Sequence, residues 1–375
     1  PIPAHDSWEG EDYENAIKII NKFKQVYEDE NILKIGQNIK YDINVLSNYG
    51  IQVKGEIFDT MIAHYLIAPE LHHNMDYLAE VYLKYKTIHI DELIGTGKKQ
   101  KAMREISPEI VCDYAAEDAD ITLKLKNILE KELHSKNLYK LFSEIEMPLI
   151  PVLARMEQNG VCIDENSLSE TSRIFTERMN EIENSIREVA GQEINISSPR
   201  QVGELLYNKL QLDSKAKKTK TGQYVTDESI VEKSMDHRGY KKLLSTYINS
   251  LPQLVNSRTC HIHTSYNQAV TVTGRLSSSN QNLQNIPIRD ENGKEVRKAF
   301  IPDEGCEFFS ADYSQIELRI MAHLSQDKNM LEDFNSGHDI HQATAAKIFK
   351  VGIDEVTSDM RRKAKTANFG IIYGI

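Results

Sequence analysis

Short apolar runs alternate with helical patterns along the first 135 residues of the chain. The run NILKIG, residues 31–36, predicts a strand, and IFDTMIAHYLI, residues 57–67, predicts a strand end that continues into a helix. A long helix is predicted to begin after Ser107, because Pro108 suits its first turn and Glu109 lies near the positive end of its dipole. We therefore expect an α/β region with few strands.

The next part of the chain carries two helical stripes of apolar residues. They are Leu138, Leu141, Ile145, Leu149, Val152 and Met156 in the first stripe, and Leu168, Phe175, Met179, Ile182, Ile186 and Val189 in the second. Gly160 and Gly191 follow the stripes as C-caps, so a long antiparallel helical pair is predicted. Beyond residue 260 we expect short β-like pieces, an apolar run and a helix, and then three further helices.

Composition narrows the class of protein. The net charge of −11 argues against a broad nucleic-acid-binding surface but leaves room for a local groove. The lysine run KAKKTKTG, residues 215–222, is either a solvated loop or a loop that contacts phosphates. The four cysteines lie far apart with no CxxC or Cys/His cluster, which argues against zinc and fits a reducing compartment. No stretch approaches the roughly 20 apolar residues of a membrane span.

Four residues near the end of the chain are spaced four apart: Arg361, Lys365, Phe369 and Tyr373, which we call the cation–ring stripe. On a helix capped by Ser358 they wind slowly, because each step of four drifts by about 40°. The cations suit phosphate oxygens and the rings suit bases. The alternative is a solvated basic turn followed by aromatic residues that face the core.

The segment FFSADYSQIELRIMAHL, residues 308–324, predicts a buried strand that ends at Asp312 and is followed by a helix. Asp312 is therefore either a ligand for a hard cation or a helix cap. The order Ser314, Gln315, Ile316, Glu317 matches a capping box, which favours a capping role for Glu317.

Three other stretches carry candidate chemistry. In HDIHQATAAKIF, His338 and His341 are a metal pair or surface residues beside a helix-capping Asp339. TGRLSSSNQNLQNIP, residues 273–287, suits hydrogen bonding to base edges and sugars, or is an irregular polar loop. The set Asp42, Tyr114 and Asp118 could serve metal-assisted phosphodiester hydrolysis, although such a site needs about four carboxylates and each acid alone is an ordinary surface group.

Taken together, these stretches resemble the motifs of bacterial family A DNA polymerases, in the order of that family and over nearly the whole chain. DYSQIELRIMAHLS and RRKAKTANFGIIYG resemble two polymerase signature motifs. TSYNQAVTVTGRLSS and NLQNIP resemble the segment that joins thumb to palm. GQNIKYDINVL and YAAEDAD resemble the second and third motifs of the 3′–5′ exonuclease domain.

The resemblance implies a role for each matched residue. Asp312 would bind the catalytic Mg²⁺ ions, and Glu317 would lie at the incoming sugar rather than cap the helix, with Lys365 completing the catalytic set. The implied nucleotide-binding residues are His341, Arg361, Lys365, Phe369 and Tyr373. The implied DNA-contact set is Arg238, Lys242, Gln268, Arg275, Asn282, Gln284 and Asn285. The implied exonuclease residues are Asp42, Tyr114 and Asp118, with Asp42 and Asp118 as metal ligands.

The resemblance also implies an α/β (α+β) fold in four parts. These are an N-terminally truncated RNase H-like 3′–5′ exonuclease domain at 1–136, a mostly helical thumb at 137–262, the start of a palm at 263–330 and the first part of the fingers at 331–375. The implied activity is template-directed nucleotidyl transfer from dNTPs to a primer 3′-hydroxyl in replication and repair. A monomer in the bacterial cytoplasm, at the nucleoid and away from membranes, is expected, with primer–template DNA, dNTPs and Mg²⁺ as partners.

The chain departs from the family pattern in three places. We expect the first exonuclease motif to precede Pro1, the second palm aspartate to follow Ile375, and the thumb to be shortened between Val231 and Gly239. An inactive piece of a polymerase is therefore predicted. The alternatives are a catalytically dead DNA-binding remnant and, if the cation–ring stripe is accidental, a helical scaffold without enzymatic function.

Overall fold

The computed structural model describes residues 11–97, 100–191, 228–280, 282–288, 291–337 and 339–373, with the single positions 195, 198, 201 and 204. The chain divides into two compact units, Pro1–Cys306 and Glu307–Ile375. The described residues are mostly helical with three small sheets, which confirms the expected mixed fold class. The division into four domains stays a prediction.

The described helices of the first unit are α1 Glu11–Asn21, α2 Lys24–Glu28, α3 Ile39–Ser47, α4 Thr60–Ile67, α5 Met75–Leu78, α6 Ile90–Ile94, α7 Pro108–Ser135, α8 Tyr139–Leu141, α9 Met147–Asn159, α10 Glu165–Ala190, α11 Glu228–Leu243 and α12 Glu291–Lys298. Its strands are β1 Lys34–Gly36, β2 Ile57–Asp59, β3 Val161–Ile163, β4 His261–Ile262, β5 Ser265–Asn267, β6 Ser277–Ser279 and β7 Phe300–Ile301. Short π-helical segments are Ala79–Leu83, Phe142–Glu146 and Leu244–Ile248, and 3₁₀ turns are Met103–Glu105, Pro252–Leu254 and Leu283–Asn285.

A small βαβ unit follows α1 and α2 in the first unit. Strands β1 and β2 pair in parallel, with Ile35 opposite Phe58, and α3 connects them. The helix α7 begins at Pro108 after the N-cap Ser107, as predicted. Its fully buried leucines recur every four residues, at 125, 129 and 133, because that spacing keeps them on one helix face against the sheet.

The predicted antiparallel helical pair is wrong. Helix α9 packs mainly on α3, whereas α10 packs mainly on α11, and β3 lies between them in the chain. The connection is a sheet strand rather than a turn, because Val161 and Cys162 pair with β4 and Cys162 and Ile163 pair with β7. Both glycine C-caps are confirmed: Gly160 has φ +67°, and a Cβ there would lie 2.8 Å from the Ile262 carbonyl oxygen.

The β-like pieces beyond residue 260 are confirmed as the antiparallel sheets β4-β3-β7 and β5-β6. In the β5-β6 sheet, Tyr266 lies opposite Ser278. The lysine run 215–222 lies outside the described residues. None of the helices in the described ranges is long and apolar enough to cross a membrane.

The second unit contains α13 Ile316–Ser325, α14 Lys328–Asn335, the 3₁₀ turn Ile353–Glu355, α15 Ile340–Phe349 and α16 Ser358–Tyr373. These bounds confirm the predicted helix after the apolar run and the three helices that follow. The predicted buried strand before Asp312 is wrong: residues 302–315 contain no strand, and Phe309 is 92% exposed. A strand forms only by pairing, and no described strand pairs with this segment.

Candidate active sites

The cation–ring stripe lies on α16, which packs against α15. The helix begins one residue earlier than the pattern indicated, so the predicted cap Ser358 is the first helical residue. The Thr357 hydroxyl accepts from the Met360 amide at 3.3 Å. The Arg361 guanidinium donates to the Asp339 carboxylate at 2.6 Å.

Asp339 links the two helices of this site. Its carboxylate caps α15 by accepting the amides of His341 and Gln342, both at 2.9 Å, which confirms the predicted cap. Burial favours the neutral acid, but the hydrogen bond from Arg361 and those from the two amides outweigh it and lower the pKa of Asp339. An anionic Asp339 thus holds Arg361 at the start of the stripe.

His341 faces α16, so the prediction that it lies at the surface is wrong. Its side chain is buried, its ring centroid lies 5.7 Å from that of Phe369, and the Asn368 amide nitrogen lies 3.1 Å from its Nδ1. Burial lowers the pKa of His341, and the nearby Arg361 and Lys365 cations add to this although the Asp339 charge opposes it. His338 and the side chain of Tyr373 lie outside the described residues.

Lys365 follows Arg361 in the stripe, and its Nζ lies 6.0 Å from the Phe369 ring centroid. The structure therefore brings together four of the five predicted nucleotide-binding residues on two packed helices: His341, Arg361, Lys365 and Phe369.

Asp312 and Glu317 lie before and within the first turn of α13. Asp312 is exposed, and Glu317 is half-buried. The predicted capping box is wrong: the chain enters the helix at Gln315, with φ +55°, so Glu317 is the second helical residue rather than the third and no side-chain cap forms. The Ser314 carbonyl instead accepts from Arg319 Nε at 3.0 Å.

The DNA-contact set lies in the first unit, on α11 and around the β5-β6 sheet. Gln268 is buried and donates to the Glu146 carboxylate at 2.7 Å, so its amide is already engaged. The Asn282 side chain accepts from Ser278 at 2.9 Å. The exposed members are Lys242, Arg275, Asn282, Gln284 and Asn285, and Arg238 is half-buried.

The predicted exonuclease residues lie on two helices. Asp42 lies on α3, and its side chain is exposed. Partial loss of hydration, and then the neighbouring Asp59 charge, raise the pKa of Asp42 to about 6. On α7, burial and the hydrogen-bonded Asp118 raise the pKa of Tyr114 to about 12. Burial also raises the pKa of Asp118, with Glu117 and Asp76 adding repulsion.

Sequence reasoning missed Asp59, the buried neighbour of Asp42. Its carboxylate accepts the amides of Ile39 at 2.7 Å and Met61 at 2.8 Å, so it serves the N-termini of both α3 and α4. Burial raises its pKa to about 6 against these hydrogen bonds. The signal was present in the sequence, because an Asp directly before a helical pattern is a typical N-cap.

Sequence reasoning also missed a buried ion pair beside Asp42. Lys40 Nζ contacts the Glu157 carboxylate and donates to the Tyr266 carbonyl at 2.5 Å. The Asn44 amide donates to the other Glu157 oxygen at 2.6 Å, and the Tyr266 amide donates to Glu157 at 2.7 Å. This network ties α3, which carries Asp42, to α9 and β5.

Two sequence models match the chain. A 3′–5′ exonuclease model matches residues 4–134, and the model of DNA polymerase family A matches residues 165–375, more than half of the chain. This chain belongs to DNA polymerase family A. The family A match begins at α10 and includes the DNA-contact set, Asp312 and the cation–ring stripe. The exonuclease match includes Asp42, Tyr114 and Asp118.

Two similar proteins from bacteria are both named DNA polymerase I. This chain is similar to a DNA polymerase I of Pseudomonas aeruginosa, with 45% identity over 372 residues that cover 95% of this chain and 41% of the relative. It is 43% identical over 380 residues to a DNA polymerase I of Borreliella burgdorferi, covering all of this chain and 41% of the relative. The chain thus spans about two fifths of the length of these curated relatives.

A solved structure has a similar fold. The POL domain of Pol1 from M. smegmatis, in complex with DNA primer-template and dNTP, superposes with a TM-score of 0.80 and 32% identity. The superposition covers 98% of this chain and 62% of that one.

Proposed function

We propose that this family A chain is part of a DNA-directed DNA polymerase that binds an incoming dNTP on the cation–ring stripe and primer–template DNA at the DNA-contact set. The proposed reaction is attack of the primer 3′-hydroxyl on the α-phosphate, with pyrophosphate as the leaving group. The observation that carries this proposal is the assembly of His341, Arg361, Lys365 and Phe369 on α15 and α16. The names of the relatives, and the ligands of the similar solved structure, support it. We infer a cytoplasmic monomer at the nucleoid.

The two cations suit the triphosphate. Asp339 engages one guanidinium nitrogen of Arg361, whose fork has further donors for phosphate oxygens. Lys365 lies one helical turn further along and adds a point charge. Both cations are placed to offset the negative charge that develops on the leaving pyrophosphate.

His341 adds a neutral donor. Its lowered pKa keeps the ring uncharged near neutral pH. Because the Asn368 amide donates to Nδ1, the proton of the neutral ring lies on Nε2, and we propose that Nε2 donates to a phosphate oxygen.

Asp312 is the proposed magnesium ligand of the polymerase site. Its exposed carboxylate makes no hydrogen bond or ion pair to another described residue, and carboxylate oxygen fits a hard cation that keeps several waters and binds substrate phosphates. Magnesium bound there would neutralise phosphate charge. Glu317 is proposed to lie at the incoming sugar.

A second candidate function is 3′–5′ exonuclease action, supported by the match over residues 4–134. Asp42 and Asp118 are carboxylate ligands of the kind that metal-assisted phosphodiester hydrolysis needs. The charge of Asp59 raises the pKa of Asp42, whereas the charges of Glu117 and Asp76 raise the pKa of Asp118. DNA binding without hydrolysis is the alternative, and release of nucleotides from a single-stranded 3′ end separates the two.

The nucleotide site is tested by binding of a dNTP with Mg²⁺ to the Lys365→Ala variant. We expect affinity to fall about 10- to 100-fold, because a hydrogen bond to a charged group contributes roughly 1.5–3 kcal/mol. The matched control is Lys363→Ala, which removes a cation from the same helix that pairs with Asp359 at 2.8 Å and should leave affinity unchanged. Equal effects of the two substitutions would contradict the proposed site.

The DNA surface is tested by the salt dependence of primer–template binding. We expect affinity to fall steeply with salt, and Lys242→Ala to reduce the log–log slope by about 1, since each phosphate contact releases counterions. Binding that is insensitive to salt would favour the helical scaffold. Primer extension by the protein that carries this chain separates a polymerase from a DNA-binding remnant.

A further inference from the structure

Three side chains with metal-binding atoms converge on the three-stranded sheet of the first unit. The Cys162 thiol, the His261 ring and the Asp303 carboxylate each have a ligand atom within 4.8 Å of the other two. Their positions in the sequence gave no sign of this cluster, because about a hundred residues separate Cys162 from His261 and about forty separate His261 from Asp303.

Strand register explains the convergence. Cys162 lies in the central strand β3, directly opposite His261 on β4 and Ile301 on β7. Paired residues project to the same face of a sheet, and residues two apart in an extended chain do so too. Asp303, two residues after Ile301, therefore joins Cys162 and His261 on one face.

The His261 ring is oriented as metal-binding histidines are. Its Nδ1 lies 2.5 Å from the Thr259 carbonyl oxygen and so carries a proton, which leaves Nε2 directed at Asp303 Oδ1, 2.8 Å away. At 2.8 Å the two atoms lie at hydrogen-bond distance, so a proton on Nε2 joins the ring to Asp303 in the metal-free chain, and a bound cation takes the place of that proton. A hydrogen bond from the other ring nitrogen to a carbonyl is the usual support of such a ligand.

The donor set selects the class of ion. One thiolate sulfur, one imidazole nitrogen and one carboxylate oxygen suit Zn²⁺, whereas Mg²⁺ and Ca²⁺ take oxygen ligands. Three protein ligands leave the fourth tetrahedral position to water. The Asp303 side chain is 62% exposed and that of His261 is 18% exposed, so an ion can enter from solvent.

We propose that Cys162, His261 and Asp303 bind a Zn²⁺ ion that links β3, β4 and the segment after β7. Binding releases the Cys162 thiol proton and the His261 Nε2 proton to solvent while Nδ1 keeps its proton, so affinity falls as the pH is lowered. The ion joins three chain segments that are distant in sequence, so it stabilises the folded first unit.

Cobalt(II) is the probe for the thiolate bond. The metal-free chain is titrated with Co²⁺, and we expect one equivalent to produce the near-ultraviolet charge-transfer absorption of a cobalt–thiolate bond. Cys162→Ser should abolish this band, while the matched controls Cys112→Ser, Cys260→Ser and Cys306→Ser should retain it, since these three thiols are exposed and outside the cluster. Absence of a band, or a band that survives Cys162→Ser, overturns the proposal.

Thermal unfolding with Zn²⁺ alone supplies a readout that does not depend on cobalt. We expect Zn²⁺ to raise Tm by a few degrees and a chelator to reverse the rise. Asp303→Asn changes an exposed side chain and should weaken Zn²⁺ affinity by at least about tenfold. A Tm that Zn²⁺ and chelator leave unchanged means that the cluster is a His261–Asp303 ion pair beside a neutral thiol, and the proposal is then wrong.

Discussion

Two close ion pairs of this molecule lie in opposite surroundings. In the first unit the Lys40 and Glu157 side chains are only 11% and 9% exposed, and backbone and amide groups satisfy them further. In the second unit the Arg361 and Asp339 side chains are 44% and 29% exposed. The same chemical pairing is enclosed by protein in one unit and remains open to solvent in the other.

The difference separates a structural role from a binding role. Removing one partner of a buried pair leaves a charge without water, which is strongly destabilising. An exposed pair contributes little to stability, and its cation can still reach an anion from solvent. The Lys40–Glu157 pair therefore holds α3 against α9 and β5. The Arg361–Asp339 pair instead orients the Arg361 guanidinium, which has further N–H donors for another acceptor.

The largest effect is expected for Glu157→Gln. The substitution leaves the Lys40 ammonium buried without a counter-charge, so we expect the free energy of unfolding to fall by about 3–5 kcal/mol. Urea unfolding measures this change. The control is Glu144→Gln, because Glu144 and Lys140 lie 3.9 Å apart with side chains 64% and 81% exposed, and its loss should stay below about 1 kcal/mol.

If both glutamate substitutions cost the same, the distinction between a buried and an exposed pair does not hold here. A second variant sharpens the result. Lys40→Met combined with Glu157→Gln removes the unpaired ammonium, so it should recover part of the stability that Glu157→Gln loses.

An intermediate effect is expected for Arg361→Ala, and it should appear in binding rather than stability. We expect the free energy of unfolding to change by less than about 1 kcal/mol, while dNTP affinity falls about 10- to 100-fold. Arg362→Ala is the matched control, because Arg362 pairs with Asp359 at 2.5 Å on the same helix. Large destabilisation with unchanged dNTP affinity would assign Arg361 to the structure instead of the site.

The two pairs also differ in how far the sequence predicts them. The cation–ring stripe is local: a spacing of four places Arg361, Lys365 and Phe369 on one helix surface before any packing is known. The helix start at Pro108 was also predictable, because caps and first-turn preferences depend on neighbours in the chain. The burial of His341 was not, since only the packing of α15 on α16 decides it.

The elements that the sequence did not predict depend on distant residues. Lys40 and Glu157 are 117 positions apart, and no periodic pattern connects them. The strand β3 lies between the two helical stripes and was not predicted. Its three residues are too few to show an alternation of apolar and polar positions, and its partner β4 comes about a hundred residues later. The Cys162, His261 and Asp303 cluster depends on that same strand.

The smallest effect concerns pH and the buried ring beside the exposed pair. His341 faces Asp339, Arg361, Lys365 and Asn368, and its folded-state pKa lies below the unfolded value of about 6.5. Below that pH the unfolded chain takes up a proton that the folded chain refuses, so this residue's contribution lowers the free energy of unfolding as the pH falls. His341→Gln removes it. We therefore expect the drop in stability from about pH 8 to about pH 5.5 to be smaller in the variant than in the original chain, measured by urea unfolding at both pH values. An equal or larger drop in the variant would show that burial and the nearby Arg361 and Lys365 cations do not disfavour the charged ring.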